Sequence, residues 1–302
     1  MRATDRGRLQ VLSAAVLWGT TGTAQALAPA SASSEAIGAV RMAVGGAALL
    51  VLALATGAFR GLDRWPRGAL LAAAAGMGSY QPLFFSGVAR TGVAVGTIAA
   101  IGSAPVFAGA LARALEGGWP GRRWAVATAL AVGGTSLLAI GGRRADVDPV
   151  GVAFALGAGL CYAVYATAAK RLLAGRPPVA VAGAVFPLAA VGLSPILFAS
   201  DLGWLAAPRG LAVALHLGLV ATALAYVLFS TGLGRVPAPT AVTLSLAEPL
   251  TAAALGVALL GERPGPAALA GAALVLAGLA VLAAPRPALT RPRAPAGSPP
   301  PG

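Results

Sequence analysis

The sequence predicts an all-α integral membrane protein, with ten transmembrane helices in two inverted five-helix repeats around a central cavity. Three observations predict it. First, 58% of the 302 residues are hydrophobic, only 10% are charged, and the mean hydropathy is +0.82. Apolar stretches of about 20 residues recur from end to end, each long enough to cross ~30 Å of hydrocarbon as a helix that satisfies its own backbone. Second, the chain repeats itself without gaps at an offset of 144 residues. Phe85-Ser86 falls on Phe229-Ser230, Pro105 on Pro249, Gly117-x-x-Pro120-Gly121 on Gly261-x-x-Pro264-Gly265, and Trp18 on Tyr162. Five spans per copy is an odd number, so the second copy must enter the membrane upside down. Inverted repeats are an architecture of secondary transporters, with the substrate site near the midplane between the halves. Third, with the N-terminus placed in the cytoplasm, sixteen Lys and Arg fall on the inner side, five on the outer side, and Arg41 inside a span. That is a strong positive-inside bias, and removing any one span scrambles it.

The elements follow in order. Arg2, Arg6 and Arg8 precede helix one, about 9–28. Ala26-Leu27-Ala28 resembles the cleavage site of a signal peptide, but Leu12–Gln25 matches the internal segment Leu156–Ala169 at the repeat offset and Pro29 would follow the cut. The segment is therefore kept as a span. Helices two to five are read at about 35–56, 68–89, 92–114 and 122–140, with Gly92-x-x-x-Gly96 and the small faces of helices five and ten as packing surfaces. The second copy gives about 150–172, 179–199, 210–233, 238–260 and 266–284. Trp65, Trp119, Trp124 and Trp204 fall at expected interfaces, where indole favours the headgroup layer. The organisation is a cytoplasmic N-terminus (1–8), a first repeat (9–140), a short polar linker (141–149), a second repeat (150–284) and a tail (285–302). The tail holds seven prolines and three arginines in 18 residues and is expected to be disordered, basic and cytoplasmic.

Composition also excludes several classes. The net charge of +13 sits in short loops between apolar runs rather than along one face, so nucleic acid is not an expected partner. One cysteine, Cys161, and one histidine, His216, leave no disulfide, no Cys-based zinc site and no His-pair metal motif. No cofactor or metal is expected, no catalytic triad is credible, and no nucleotide-binding loop supports direct ATP drive.

Polar residues inside the spans point to the site. Glu248 is the one acid among nine that lies at bilayer depth, roughly 15 Å from either surface at 1.5 Å per residue. A carboxylate there costs about 2.5–3.5 kcal/mol unless protonated, paired or wetted. It reads as a cavity group that binds a substrate amine or exchanges protons, or as a structural carboxylate capping backbone groups freed beside Pro249. Pro249 and Pro105 are equivalent and predict matching kinks around one site. Ala104 stands where the second copy has Glu248, which makes the cavity charge-asymmetric. Arg41 in helix two is left with three readings: an ion pair with Glu248, an anion contact, or a side chain snorkelling to the interface. Trp18, Thr21 and Gln25 share one face of helix one, and Tyr162 and Tyr165 share the matching face of helix six. Tyr80, Gln81, Tyr226 and Ser245 complete a lining suited to molecules with mixed polar and apolar character, although each aromatic alone is also a packing residue.

The run Ser245-Leu-Ala-Glu248-Pro249, followed by Gly261-Glu262-Arg263-Pro264, resembles the EamA family of the drug/metabolite transporter superfamily, and so does Arg41 in helix two. The resemblance covers about 9–284 as two EamA-type units. The first unit departs from the pattern, with Gly118 where Glu262 stands in the second and Glu116 two residues upstream. The resemblance implies a cavity built by helices one, three, four, six, eight and nine, and export of small metabolites or drugs. The related four-helix multidrug exporters hold a proton-binding glutamate in helix one. Residues 9–28 contain no acid, so that coupling is not carried over. The expected function is a secondary transporter, an exporter acting by alternating access in the plasma (inner) membrane with both termini cytoplasmic. A membrane-embedded enzyme would need clustered His, Asp or Cys, and the alternative is a membrane-anchored interaction protein acting through its basic tail. The expected partners are a small-molecule substrate and the lipid bilayer, with a homodimer left open.

Overall fold

The computed structural model describes residues 3–62, 64–140, 148–260 and 265–284. Most of the linker, the Gly261–Pro264 segment and the tail therefore lie outside the described residues. Among those described there are helices and turns but no strand. The first unit contains α1 (Ala3–Ala26), α2 (Ser34–Ala55), α3 (Arg67–Glu116) and α4 (Arg122–Ile140). The second contains α5 (Pro149–Leu172), α6 (Pro178–Gly192), α7 (Ser194–Ala199), α8 (Pro208–Leu215), a π-helix (His216–Leu224), α9 (Ala225–Leu233), α10 (Ala238–Leu244), α11 (Ala247–Leu260) and α12 (Pro266–Ala283).

Local sequence sets the ends of these rods. Ser33 caps α2 by accepting from the Ala36 N–H, and Asp148 caps α5 by accepting from the Val150 N–H, with Pro149 at the first helical position. Helices three and four of the sequence reading form one element. They are divided at a single residue, Gly92, whose φ of 79° and ψ of 161° only glycine adopts freely. Helix seven is broken at Leu193, between α6 and α7, and helix nine at Ser245-Leu246, between α10 and α11. Among the described residues, six stretches are long and apolar enough to cross a bilayer: Ser34–Ala55, Val95–Glu116, Pro149–Leu172, Pro208–Leu233, Ala238–Leu259 and Pro266–Ala283. Large apolar side chains such as Val51, Leu71, Val191 and Leu259 face outward, as a multi-pass membrane protein requires and a protein in water avoids.

The helices pack mainly across the two units rather than within them: α3 on α5, α2 on α6, α4 on α12, and α1 on α9 and α11. Glycines permit this closeness. A Cβ on Gly134 would stand 2.5 Å from the Gly271 carbonyl oxygen, and one on Gly278 would stand 2.7 Å from that of Ala127. As the chain advances along α4 its partner retreats along α12, so the two run antiparallel. The offset of 144 carries Ala127 onto Gly271 and Gly134 onto Gly278. Exchanging the two copies therefore maps this contact onto itself. Gly7 against Gly232 and Gly151 against Gly87 form a second such pair, matched to within one residue. The core at the centre is aromatic, with Trp18, Tyr165, Phe186, Tyr226 and Phe229 all buried.

Candidate functional site

A cavity of about 110 Å³ opens between the two units. That is room for several waters or a small organic molecule. Its walls come from α1, both arms of α3, α5, α9, α10 and α11, with α2 adding Arg41. Trp18, Thr21, Gln25, Tyr80, Gln81, Tyr162, Tyr226, Ser245 and Glu248 all stand on this wall, and Ala104 faces the same space as Glu248.

The break between α10 and α11 places Glu248. Pro249 has no N–H to give the Ser245 carbonyl, the partner four residues back that a continuous helix would use. The Glu248 N–H takes that carbonyl instead at 2.9 Å, and the Leu246 N–H bonds the Thr243 carbonyl at 3.1 Å. The backbone thus tightens for a turn and restarts as α11, with Glu248 in its first turn. The sequence reading places this acid in the middle of a helix, whereas the structure places it at a helix N-terminus. There the unsatisfied N–H groups and the helix dipole favour a negative charge. At Pro105, where the sequence reading expects the matching kink, the helix is not broken. The helical backbone runs through Pro105, and the one non-helical residue in α3 is Gly92. The difference is local: in the second copy the tightened turn at Ser245-Leu246 ends one helix, and the next starts at Ala247 with the proline in its first turn.

Arg41 is held from the π-helix. Its Nε donates to Thr222 Oγ1 at 3.0 Å and its Nη2 to the Ala221 carbonyl at 3.3 Å. Thr222 in turn donates to the Leu217 carbonyl five residues back, at 2.8 Å. The wider turn is what brings these acceptors to α2, and π-turns recur at functional sites. Gly45, Gly218 and the Thr222 methyl pack at this crossing with no room for a larger residue. Among the described residues Arg41 and Glu248 form no salt bridge, so a base and an acid line one cavity without closing on each other. Of the three sequence readings of Arg41, direct pairing with Glu248 and snorkelling to the interface both give way to this inward anchoring.

The remaining polar groups divide into engaged and open ones. Ser245 Oγ donates to the Val242 carbonyl at 2.8 Å and accepts from Tyr162 Oη at 3.3 Å. Tyr226 Oη points to Met77 Sδ at 3.7 Å. Trp18 Nε1 and Thr21 Oγ1 are buried and have no partner among the described residues, although both side chains line the cavity. A buried polar atom without a partner costs free energy that a ligand or water can recover. Tyr165 departs from the expectation. It is fully buried behind the wall, stacked on Phe229 and met edge-on by Phe186 and Tyr226, because one helical turn beyond Tyr162 carries it past the cavity lining. Phe84, Phe85, Ile101, Val242 and Leu246 line the cavity and were not singled out by sequence. Phe85 carried a signal as a repeat marker; the others are indistinguishable from lipid-facing residues.

Buried side chains close the cavity on one side. On the side where α1 begins, Val11, Ala14 and Ala15 of α1, Phe229 and Leu233 of α9, and Ala238 and Ala241 of α10 are buried. Trp18 seals this plug, with its ring centroid 4.9 Å from that of Tyr226 and 5.2 Å from that of Phe229.

Comparison with known proteins agrees with this architecture. The model of the EamA-like transporter family matches residues 5–140 and again 149–284. The chain is 47% identical over 279 residues to the "Uncharacterized transporter YwfM" of Bacillus subtilis (strain 168), covering 92% of this chain and 94% of that one. A solved crystal structure superposes with a TM-score of 0.78 at 23% identity, over 91% of this chain and 95% of that one, a likeness of fold.

Proposed function

Since the chain belongs to the EamA-like transporter family, and is thus a multi-pass membrane transporter and not an enzyme, we propose that it is a ten-span secondary exporter of small amphipathic metabolites. It would work by alternating access in the plasma membrane, with both termini cytoplasmic. The observation that carries this reading is an acid and a base, Glu248 and Arg41, lining one aromatic-walled cavity between two units with no salt bridge between them among the described residues. A substrate amine suits Glu248, an acidic or polar group suits Arg41, and the rings of Trp18, Tyr80, Tyr162 and Tyr226 suit an apolar body.

Beyond the six long apolar stretches, α1, residues 67–91, α4 and α6 with α7 supply the other four spans. The antiparallel run of the equivalent helices α4 and α12 supports an inverted relation of the units. The arginine distribution supports a cytoplasmic N-terminus, which puts the plugged end on the cytoplasmic side. The aromatic plug around Trp18 then forms the inner gate that must part on the inward-facing side of the cycle. Residues 285–302, on which the interaction-protein alternative depends, lie outside the described residues, while both family matches fall within 5–284.

The test is a metabolite comparison, inside cells and in the medium, between strains that overexpress and lack the protein. An amine-bearing compound that accumulates outside only with the protein present supports export. Accumulation inside instead would reverse the direction, and no difference in any compound would defeat the reading.

A further inference from the structure

A second cavity, of about 310 Å³, lies at the end of the molecule where α1 and α4 begin and α12 ends. Three arginines line it, Arg8, Arg123 and Arg235, against one carboxylate, Asp5. Part of this charge is engaged. Arg123 caps the last turn of α12, its Nε donating to the Val281 carbonyl at 2.6 Å and its Nη2 to those of Leu282 and Ala284. Arg8 Nη1 is 3.3 Å from both Asp5 Oδ1 and the Ala283 carbonyl. Arg235 Nη1 donates to Gln10 Oε1.

A guanidinium has five N–H donors, so these bonds leave capacity over. Among the described residues, Arg123 Nη1 and Arg235 Nε and Nη2 have no hydrogen-bond partner. The first turn of the 19-residue α4 reaches the same cavity through Arg123 and Trp124 and adds its dipole.

We propose that this cavity binds a phosphate group. Planar guanidinium forks match phosphate oxygens, and several converging arginines suit an anion with more than two acceptors better than a single carboxylate. The chemistry is shared by an anionic lipid headgroup and by free phosphate. Basic pockets between helices at a membrane face bind the former. A phosphate held here bridges α1 and α4 of the first unit to the α9–α10 connection and α12 of the second. This inference does not depend on the transported substrate.

The test uses the purified full-length protein. One arm counts phosphatidylglycerol and phosphatidylcholine retained in native mass spectra from nanodiscs containing both. The other follows the thermal midpoint with inorganic phosphate, against chloride at equal ionic strength. Both arms are repeated on Arg235→Gln, which leaves the α12 cap intact, and on Arg123→Gln, which removes part of it. Selective phosphatidylglycerol retention identifies the headgroup, and saturable stabilisation by inorganic phosphate identifies the free anion. In either case Arg235→Gln should weaken binding about tenfold or more. Retention of neither ligand, or retention unchanged in both variants, would overturn the proposal.

Discussion

The two units share one plan, yet they treat the middle of the membrane differently. The first keeps regular helices there: α2 is unbroken, and α3 passes through both Pro82 and Pro105 with its one non-helical residue at Gly92. The second is interrupted three times, at Leu193, along the π-helix His216–Leu224, and at Ser245-Leu246. Two of these irregularities hold the charges of the cavity. The π-turn anchors Arg41 and the restart of α11 carries Glu248, while the first unit offers Ala104 at the matching place. Irregular backbone at this depth survives only where protein or a cavity satisfies it. The repeat thus supplies the symmetric frame, and departures from it in one unit supply the chemistry.

The largest expected effect comes from moving the acid between units. The double variant Ala104→Glu, Glu248→Ala returns one carboxylate to the same cavity but sets it inside a continuous helix, without an N-terminus behind it. Export of an amine-bearing compound should be lost although the protein remains in the membrane. Recovery to near the wild-type rate would mean that the units are interchangeable and that the break at Ser245-Leu246 has no special part.

A smaller loss should follow when Arg41 is loosened from the π-turn. Thr222→Val keeps the buried volume and removes one acceptor of the guanidinium, leaving the Ala221 carbonyl. Transport should fall roughly tenfold, with the thermal midpoint changing far less. An unchanged rate would separate the π-turn from function.

Stability tests the shared frame rather than the unequal site. Gly134→Ala sets a methyl against the Gly271 backbone and should destabilise by about 1–3 kcal/mol. Gly133→Ala next to it meets nothing within 4 Å and should be neutral or stabilising by up to about 1 kcal/mol. Equal melting behaviour of the two variants in detergent would contradict the close crossing of α4 and α12.

The smallest effect lies outside the membrane, at the start of the second unit. The N–H of Val150 chiefly, and Arg90 beside it at 3.3 Å, hold the Asp148 carboxyl below its ordinary pKa of 3.8. The folded state therefore favours the charged form. Its contribution is fully present above the ordinary value and fades as pH falls through the lower folded value. Asp148→Asn should remove this acid-side dependence while keeping most of the cap. A variant melting profile that still tracks the wild type below pH 4 would deny Asp148 that role.

Much of this plan is legible in the sequence because polar residues are rare in apolar spans and so stand out. Trp18, Thr21 and Gln25 are placed on one face by helical spacing alone, and the offset of 144 relates Gly134 and Ala127 to their partners on α12. The interruptions are not legible. His216–Leu224 has the composition of any apolar helix, and nothing in it specifies a π-turn rather than an α-turn. Pro105 and Pro249 are equivalent in the repeat, yet one lies deep within a helix and the other in the first turn of one. Tyr165 has the same spacing logic as Tyr162 and falls behind the wall because cavity depth is a tertiary property. Phe84 and Ile101 line the cavity with side chains that serve equally well against lipid.

The most direct test of the unequal-unit account is export of an amine-bearing metabolite by wild type, Glu248→Asp and Glu248→Gln, at matched membrane levels from pH 5.5 to 8. Gln preserves volume and hydrogen bonding and removes the charge; Asp preserves the charge on a shorter arm. The account predicts partial export by the Asp variant and none by the Gln variant. Wild-type export by Glu248→Gln across that range would contradict it and leave Glu248 a structural cap for the start of α11.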